Sequence, residues 1–159
     1  MRFSLIICTY KRPAPLLRLL DSVGKQEAKP DEILIIDGSP DSNTLKALEK
    51  ENYPLVKYFQ VKEKDRGLTR QRNFGIRQLN IRSEVVCFLD DDVVLEKSYF
   101  ENLLETYYKK PDAVGVGGYI LNEVKWEKKK IRLRIESLKL MDGPETLAAG
   151  ICCERNLDY

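Results

Sequence analysis

Three consecutive aspartates, Asp90, Asp91 and Asp92, close the apolar run Val85–Leu89. If extended backbone persists through them, alternate side chains share a side, and Asp90 and Asp92 face together. Two hard oxygen ligands with open positions suit Mg2+ or Mn2+, ions that keep several waters and complete their shell with substrate phosphates. Three adjacent carboxylates also repel one another, which a divalent cation relieves. Taken alone, an Asp-Asp-Asp run reads equally well as a solvated acidic turn.

Other chemistries are removed by composition. The chain has no histidine, so Ser-His and Cys-His nucleophiles, His-ligated zinc and imidazole bases are excluded. Of its four cysteines, Cys8 and Cys87 lie in apolar runs, and the adjacent pair Cys152-Cys153 lacks the spaced partners a zinc site needs. They read as reduced, cytosolic thiols. What remains for chemistry is carboxylates, a bound metal, lysine and arginine.

The elements that must position the aspartates come in a regular alternation. Strand-like runs cover Phe3–Thr9, Glu32–Ile36, Leu55–Val61, Glu84–Leu89 and Ala113–Leu121. Between them lie helical patterns: one opening at Pro13 with Leu16, Leu17, Leu19, Leu20 and Val23, one through Leu45 and Leu48 with Ser42 as its cap, then Leu68–Leu79 and Ser98–Tyr108. Near-continuous apolar strands alternating with amphipathic helices imply a Rossmann-like α/β sandwich, its mostly parallel central sheet flanked by helices. Ligands of such sheets sit beyond the carboxyl ends of the strands. The polar residues there are Thr9-Tyr10-Lys11-Arg12, Asp37, Lys64-Asp65-Arg66-Gly67 and the aspartate run.

The order of four segments is informative. Ser4–Pro13, Asp37-Gly38-Ser39-Pro40-Asp41, Gly67–Ile76 with Arg72-Asn73-Phe74-Gly75, and Phe88-Leu89-Asp90-Asp91-Asp92 together resemble the nucleotide-sugar-binding half of family 2 glycosyltransferases, inverting enzymes of the GT-A fold. The resemblance covers roughly residues 3 to 121. It implies that Thr9 and Tyr10 border the nucleoside, with Arg12 in the same nucleotide-sugar cluster, and that Asp37 accepts a hydrogen bond from the base, most often uracil. The family usually carries two acidic or Asx residues before the Gly-Ser, where this chain has Asp37 alone. Arg72 matches an arginine near base and phosphates, a role its fork geometry suits, with Arg66 and Arg70 as neighbouring rivals. Asp92 is implied as the direct metal ligand, Asp90 as a ribose or water-mediated metal contact, and Asp91 as a sugar or ribose neighbour. A Mn2+ or Mg2+ ion would then stabilise the departing nucleoside diphosphate. Gly115, Gly117 and Gly118 would allow close backbone approach, or serve packing.

The expected activity is metal-dependent inverting transfer of a sugar from a nucleotide-sugar donor, a UDP-sugar above others, to a saccharide or lipid-linked acceptor in polysaccharide biosynthesis. The alternative is a binding module or truncated remnant without transfer. Residues 1–159 are expected to form one GT-A-type domain whose acceptor side is short. The segment Leu147–Arg155 resembles the stretch that precedes the family's catalytic base, and neither Glu154 nor Asp158 sits in a matching motif, so the base is unassigned. Within a formal charge of +2, the tract Lys125–Lys139 holds net +5. Beside Trp126, it suits an anionic polysaccharide, a lipid-linked phosphate or an acidic bilayer surface, or else forms a solvated charged face. Trp126–Leu140 fits a strand or a basic helix. With a pI near 8.3 and no recognition motif, nucleic acid is not an expected partner. No apolar run reaches the ~20 residues of a membrane span. The expected location is cytoplasmic, peripheral at the inner face of the membrane where the basic tract meets lipid.

Two rivals share the alternation. A phospho-accepting receiver domain wants an acidic pair where this chain has Cys8-Thr9-Tyr10, and a sugar-nucleotide pyrophosphorylase wants a Gly-rich phosphate loop after the first strand, which is missing.

Overall fold

The computed structural model describes residues 1–80, 82–121 and, as backbone, 152–155. The tract Lys125–Lys139, the strand-or-helix segment Trp126–Leu140, and Asp158 lie outside them.

Four parallel strands build the centre: β1 (Phe3–Thr9), β2 (Glu32–Asp37), β3 (Val56–Gln60) and β4 (Val85–Asp90). Among the described residues four α-helices accompany them: α1 (Pro13–Gly24), α2 (Asn43–Glu49), α3 (Leu68–Ile76) and α4 (Tyr99–Lys109). Two short strands, β5 (Gly115–Gly117) and β6 (Cys152–Arg155), complete a sheet of order β3-β2-β1-β4-β6-β5. β6 runs antiparallel to both β4 and β5.

The two-residue period of the strands divides the core into two layers. Phe3, Leu5, Ile7, Ile33, Ile35, Val85, Cys87 and Leu89 face Leu16, Leu19, Leu20 and Val23 of α1 and Phe100, Leu103 and Tyr107 of α4. Ile6, Leu34, Ile36, Val86 and Phe88 face the other way, against Phe74 of α3 and Leu79. Burial on both faces explains why these strands are apolar throughout rather than alternating. On the second face the approach is close: a Cβ on Gly75 would stand 2.8 Å from Ile6 Cγ2, so only glycine lets α3 lie this near the sheet.

Several expected boundaries shift. The helix expected over Leu68–Leu79 ends at Ile76, followed by a turn, and the strand expected over Ala113–Leu121 shortens to Gly115–Gly117. This last strand finds its partner in β6 rather than in the parallel set, a pairing between segments distant in sequence. Ser42 occupies the N-cap position of α2 without a side-chain cap bond, and Asp41 Oδ1 instead accepts the Asn43 N–H at 3.0 Å.

Chain connectivity sets the position of the site. From β1 the chain proceeds to β2 and β3 on one side, then returns to place β4 on the other. The strand order reverses between β1 and β4, and a crevice opens beyond their carboxyl ends.

Candidate functional site

β1 and β4 are in parallel register, Cys8 beside Asp90. The residues that follow each strand therefore emerge together. Thr9, buried at the tip of β1, donates its hydroxyl to Asp91 Oδ2 at 2.7 Å. Two residues on, Lys11 adopts φ +55° and its N–H is held by Ser39 Oγ at 2.7 Å. Pro13 then opens α1. Arg12, fixed between these constraints, reaches back across the crevice: Nη1 lies 3.0 Å from Asp91 Oδ1 and Nη2 2.9 Å from Asp92 Oδ2.

Strand geometry ends at Asp90 and the chain turns, so the three aspartates part company. Asp90 pairs with Arg72, Nη2 to Oδ1 at 3.3 Å, and the Arg72 guanidinium lies 5.5 Å from the Phe88 ring centroid. Asp91 and Asp92 share Arg12. The alternation expected through Asp92 requires continued extension, which the turn removes, and both carboxylates reach the cavity from the turn instead.

These residues wall a cavity of about 660 Å³. Thr9, Tyr10, Arg12 and all three aspartates line it, together with Cys8, Arg66, Gly67, Leu68 and Gln71. Tyr10 is half exposed at its rim, and Lys11 Nζ sits 5.4 Å from the Tyr10 ring centroid. Gly67, with φ +108°, turns the chain into α3 and places Arg66 at the wall. Two expected site residues stand apart from the lining. Arg72 acts on it through Asp90. Asp37 is fully buried, its Oδ1 accepting the Ser39 N–H at 2.7 Å and its Oδ2 the Tyr58 hydroxyl at 2.8 Å.

Gln71 is a residue that motif reasoning passed over. Buried beneath the cavity, it donates through Nε2 to the carbonyls of Thr9 (3.2 Å) and Ile36 (2.7 Å) and accepts the Gly67 N–H at Oε1 (3.2 Å). One amide thus ties the tips of β1 and β2 to the start of α3. The only signal for it in the sequence is its place one residue before Arg72.

The electrostatics follow from burial. Burial lifts the carboxyls of Asp90 and Asp91 above the ordinary range. Arg72 opposes the shift at Asp90 and Asp92 reinforces it. At Asp91 the Thr9 hydroxyl and Arg12 oppose it, while Asp92 and Asp90 reinforce it. Burial also pushes the Cys8 thiol up to about 12, so it is no thiolate nucleophile at neutral pH. Tyr58 is raised by burial and by its bond to Asp37, and stays a donor.

Among the described residues no three acidic or cysteine side chains converge to cage a metal. The donor set still fits Mg2+ or Mn2+: carboxylates of Asp90 and Asp92, 38% and 49% exposed, stand at a cavity wall with space for phosphate and water ligands.

A parallel sheet with its switch point at β1 and β4, and acidic residues at that point, defines a GT-A-type α/β domain. Comparison with known proteins agrees, for the model of glycosyl transferase family 2 matches residues 4–154. The chain belongs to that family. It is 29% identical over 124 residues to the glucosyl-dolichyl phosphate glucuronosyltransferase of Haloferax volcanii, a match covering 76% of this chain and 39% of that protein. Among solved structures, Staphylococcus aureus TarS 1–349 in complex with UDP-GlcNAc superposes with a TM-score of 0.61 at 26% identity, over 77% of this chain and 37% of that one. The fold is shared also with the mannosyltransferase PcManGT of Pyrobaculum calidifontis, in complex with GDP-Man and Mn2+, at a TM-score of 0.64 and 22% identity over 74% of this chain and 35% of that one. The chain spans 17 to 39% of the lengths of the five curated relatives it matches.

Proposed function

We propose that the cavity at the tips of β1 and β4 binds a nucleotide-sugar, a UDP-sugar foremost, with a divalent ion, and that the chain serves inverting transfer of that sugar to a saccharide or lipid-linked acceptor. The observation that carries this reading is that Asp90, Asp91, Asp92 and Arg12 all line one cavity, with Arg12 bridging two of the carboxylates. The relatives' complexes with UDP-GlcNAc and with GDP-Man and Mn2+ support it.

In this reading Asp92, with Asp90, holds Mn2+ or Mg2+, which supplies a Lewis acid for the charge that develops on the leaving diphosphate. Arg12 and Arg66 at the wall offer guanidinium donors to phosphate oxygens. Thr9 and Gln71 fix the floor, and Tyr10 offers an aromatic edge to the nucleoside. Asp91, braced by Thr9 and Arg12, stands beside ribose or sugar. Asp37 acts from below by holding the Gly38-Ser39 turn. The acceptor hydroxyl must displace the diphosphate at the anomeric carbon and lose its proton to a base, a role given to none of the described residues. A peripheral membrane place through Lys125–Lys139 belongs to the same reading.

The test is calorimetric titration of UDP and GDP, with and without Mn2+, into this chain and its Asp92→Ala variant. Nucleotide binding that needs Mn2+ and is lost on substitution is expected. Binding indifferent to both, or no binding at all, overturns the reading. Acceptor-dependent release of UDP from a UDP-sugar then separates a transferase from a donor-binding module.

A further inference from the structure

We propose that Arg12 makes divalent-ion binding conditional on the nucleotide. It serves as counter-ion to Asp91 and Asp92 while the cavity holds no donor, and releases Asp92 when a diphosphate offers its guanidinium a better partner. The inference rests on the donor-site reading above and adds to it an order of events.

Three observations lead there. The first is that one guanidinium already occupies the carboxylate a metal would need: Arg12 Nη2 stands 2.9 Å from Asp92 Oδ2, so an incoming cation competes with a charge already in place. The second is an asymmetry between its two prongs. Asp91 is anchored, 5% exposed and also bonded to Thr9, whereas the Asp92 side chain is 49% exposed. Asp92 is therefore the partner that separates at least cost, and Arg12 can keep its hold on Asp91 while doing so.

The third observation is charge balance. Asp90, Asp91 and Asp92 face Arg12 and Arg66 at the cavity wall and Arg72 behind Asp90. Three carboxylates against three guanidinium groups leave the region near neutral, so it offers little attraction to a bare dication. A diphosphate supplies the missing negative charge for both cations. Its oxygens match the guanidinium fork and complete the ion's shell. Arg12 has room to turn toward them, for its side chain is 50% exposed and its own loop is pinned one residue earlier, at Lys11 N–H to Ser39 Oγ.

Binding free energies of two ligands are coupled reciprocally, so the effect is readable from the metal alone. Free Mn2+ would be followed by electron paramagnetic resonance during titration into the 159-residue chain, without nucleotide and with UDP or, in parallel, GDP. For the unsubstituted chain, Mn2+ should bind weakly alone and tighten at least about tenfold with nucleotide. For Arg12→Met, which keeps the stem and removes the charge, Mn2+ alone should bind about tenfold tighter than to the unsubstituted chain, and the gain from nucleotide should shrink. Arg12→Lys, a charge without the fork, should fall between them, and thermal melts would confirm that each variant is folded. An Arg12 that merely adds positive charge near the site would, when removed, tighten Mn2+ equally with and without nucleotide, so the shrinking gain from nucleotide is the discriminating readout. An Arg12→Met chain with unchanged or weaker Mn2+ affinity, but nucleotide-dependent binding intact, overturns this inference and leaves the donor site standing. If no chain binds Mn2+ with either nucleotide, both fall together.

Discussion

Thr9 and Asp91 lie 82 residues apart and meet at 2.7 Å, hydroxyl to carboxylate, between the tips of adjacent parallel strands. This bond closes the floor of the cavity and turns Asp91 away from solvent. Both residues are buried, at 3% and 5% exposure, so losing the hydroxyl strands a desolvated carboxylate oxygen. Thr9→Val, nearly identical in shape, should lower stability by about 1–3 kcal/mol. Urea denaturation measures this directly, and an unchanged midpoint would show that water replaces the hydroxyl.

Gly75 lies in a stretch the sequence marked for chemistry, yet its surroundings are those of packing. An added Cβ meets Ile6 Cγ2 at 2.8 Å and Ile36 Cγ1 at 3.3 Å. The Ile6 methyl is carried on a branched β-carbon with little rotamer freedom, so relief requires α3 to move off the sheet. Alanine gains about 1 kcal/mol of helix propensity over glycine, against about 1–3 kcal/mol for overpacking. Gly75→Ala should therefore destabilise, and because α3 carries Gln71 and Arg72, nucleotide affinity should fall with it. Denaturation and calorimetry on one preparation check both halves.

How much of this was legible beforehand differs by residue. The apolar runs of β1, β2 and β4 announced themselves because strands buried on both faces need no alternation, and the aspartate run stood out because it follows such a strand. Arg12 was legible as a member of the cluster after β1, whereas its bonds to Asp91 and Asp92 span 79 and 80 residues, and no local pattern encodes such distances. Lys11 gave no warning of its left-handed backbone, which glycine or asparagine would have signalled. The resemblance set Asp37 against the base, whereas Tyr58, which takes one of its oxygens, arrives from a different strand that no local pattern links to it.

Acid should reveal a second polar cluster, at the amino ends of β1 and β2. Glu32 accepts Ser4 Oγ and the Asn80 N–H at Oε1, each at 2.8 Å, and Lys57 Nζ at Oε2, at 2.7 Å. Burial alone would raise its carboxyl, but Lys57, Asn80 and Ser4 together outweigh burial and hold it below the ordinary value. A lowered carboxyl stabilises fully above the unfolded value of about 4.3, and that contribution is lost as pH falls through the lower folded value. The stability gap between the chain and Glu32→Gln should hold steady from neutral pH to about 5.5 and narrow below about 4.3. Urea denaturation across that series tests the sign, and a gap that widens in acid would contradict it.

The nucleotide base poses a sharper question for Asp37. A carboxylate that meets the base must present an oxygen to the cavity, yet both oxygens here are taken, one by the Ser39 N–H and one by the Tyr58 hydroxyl. Ser39 in turn holds the Lys11 N–H, so Asp37 reaches the cavity through the turn rather than through the base. Tyr58→Phe isolates the two roles, because it frees one carboxylate oxygen while leaving the charge in place. If Asp37 works through the turn, the variant should lose about 1–3 kcal/mol of stability from the orphaned oxygen. Its affinities for UDP and CDP should then fall by the same factor, since a loosened loop does not distinguish bases. If the freed carboxylate turns toward the base, the ratio of those two affinities must move, because uracil offers a ring N–H where cytosine offers an acceptor. Calorimetric affinities for the two nucleotides, taken with Mn2+ present, decide which role Asp37 performs.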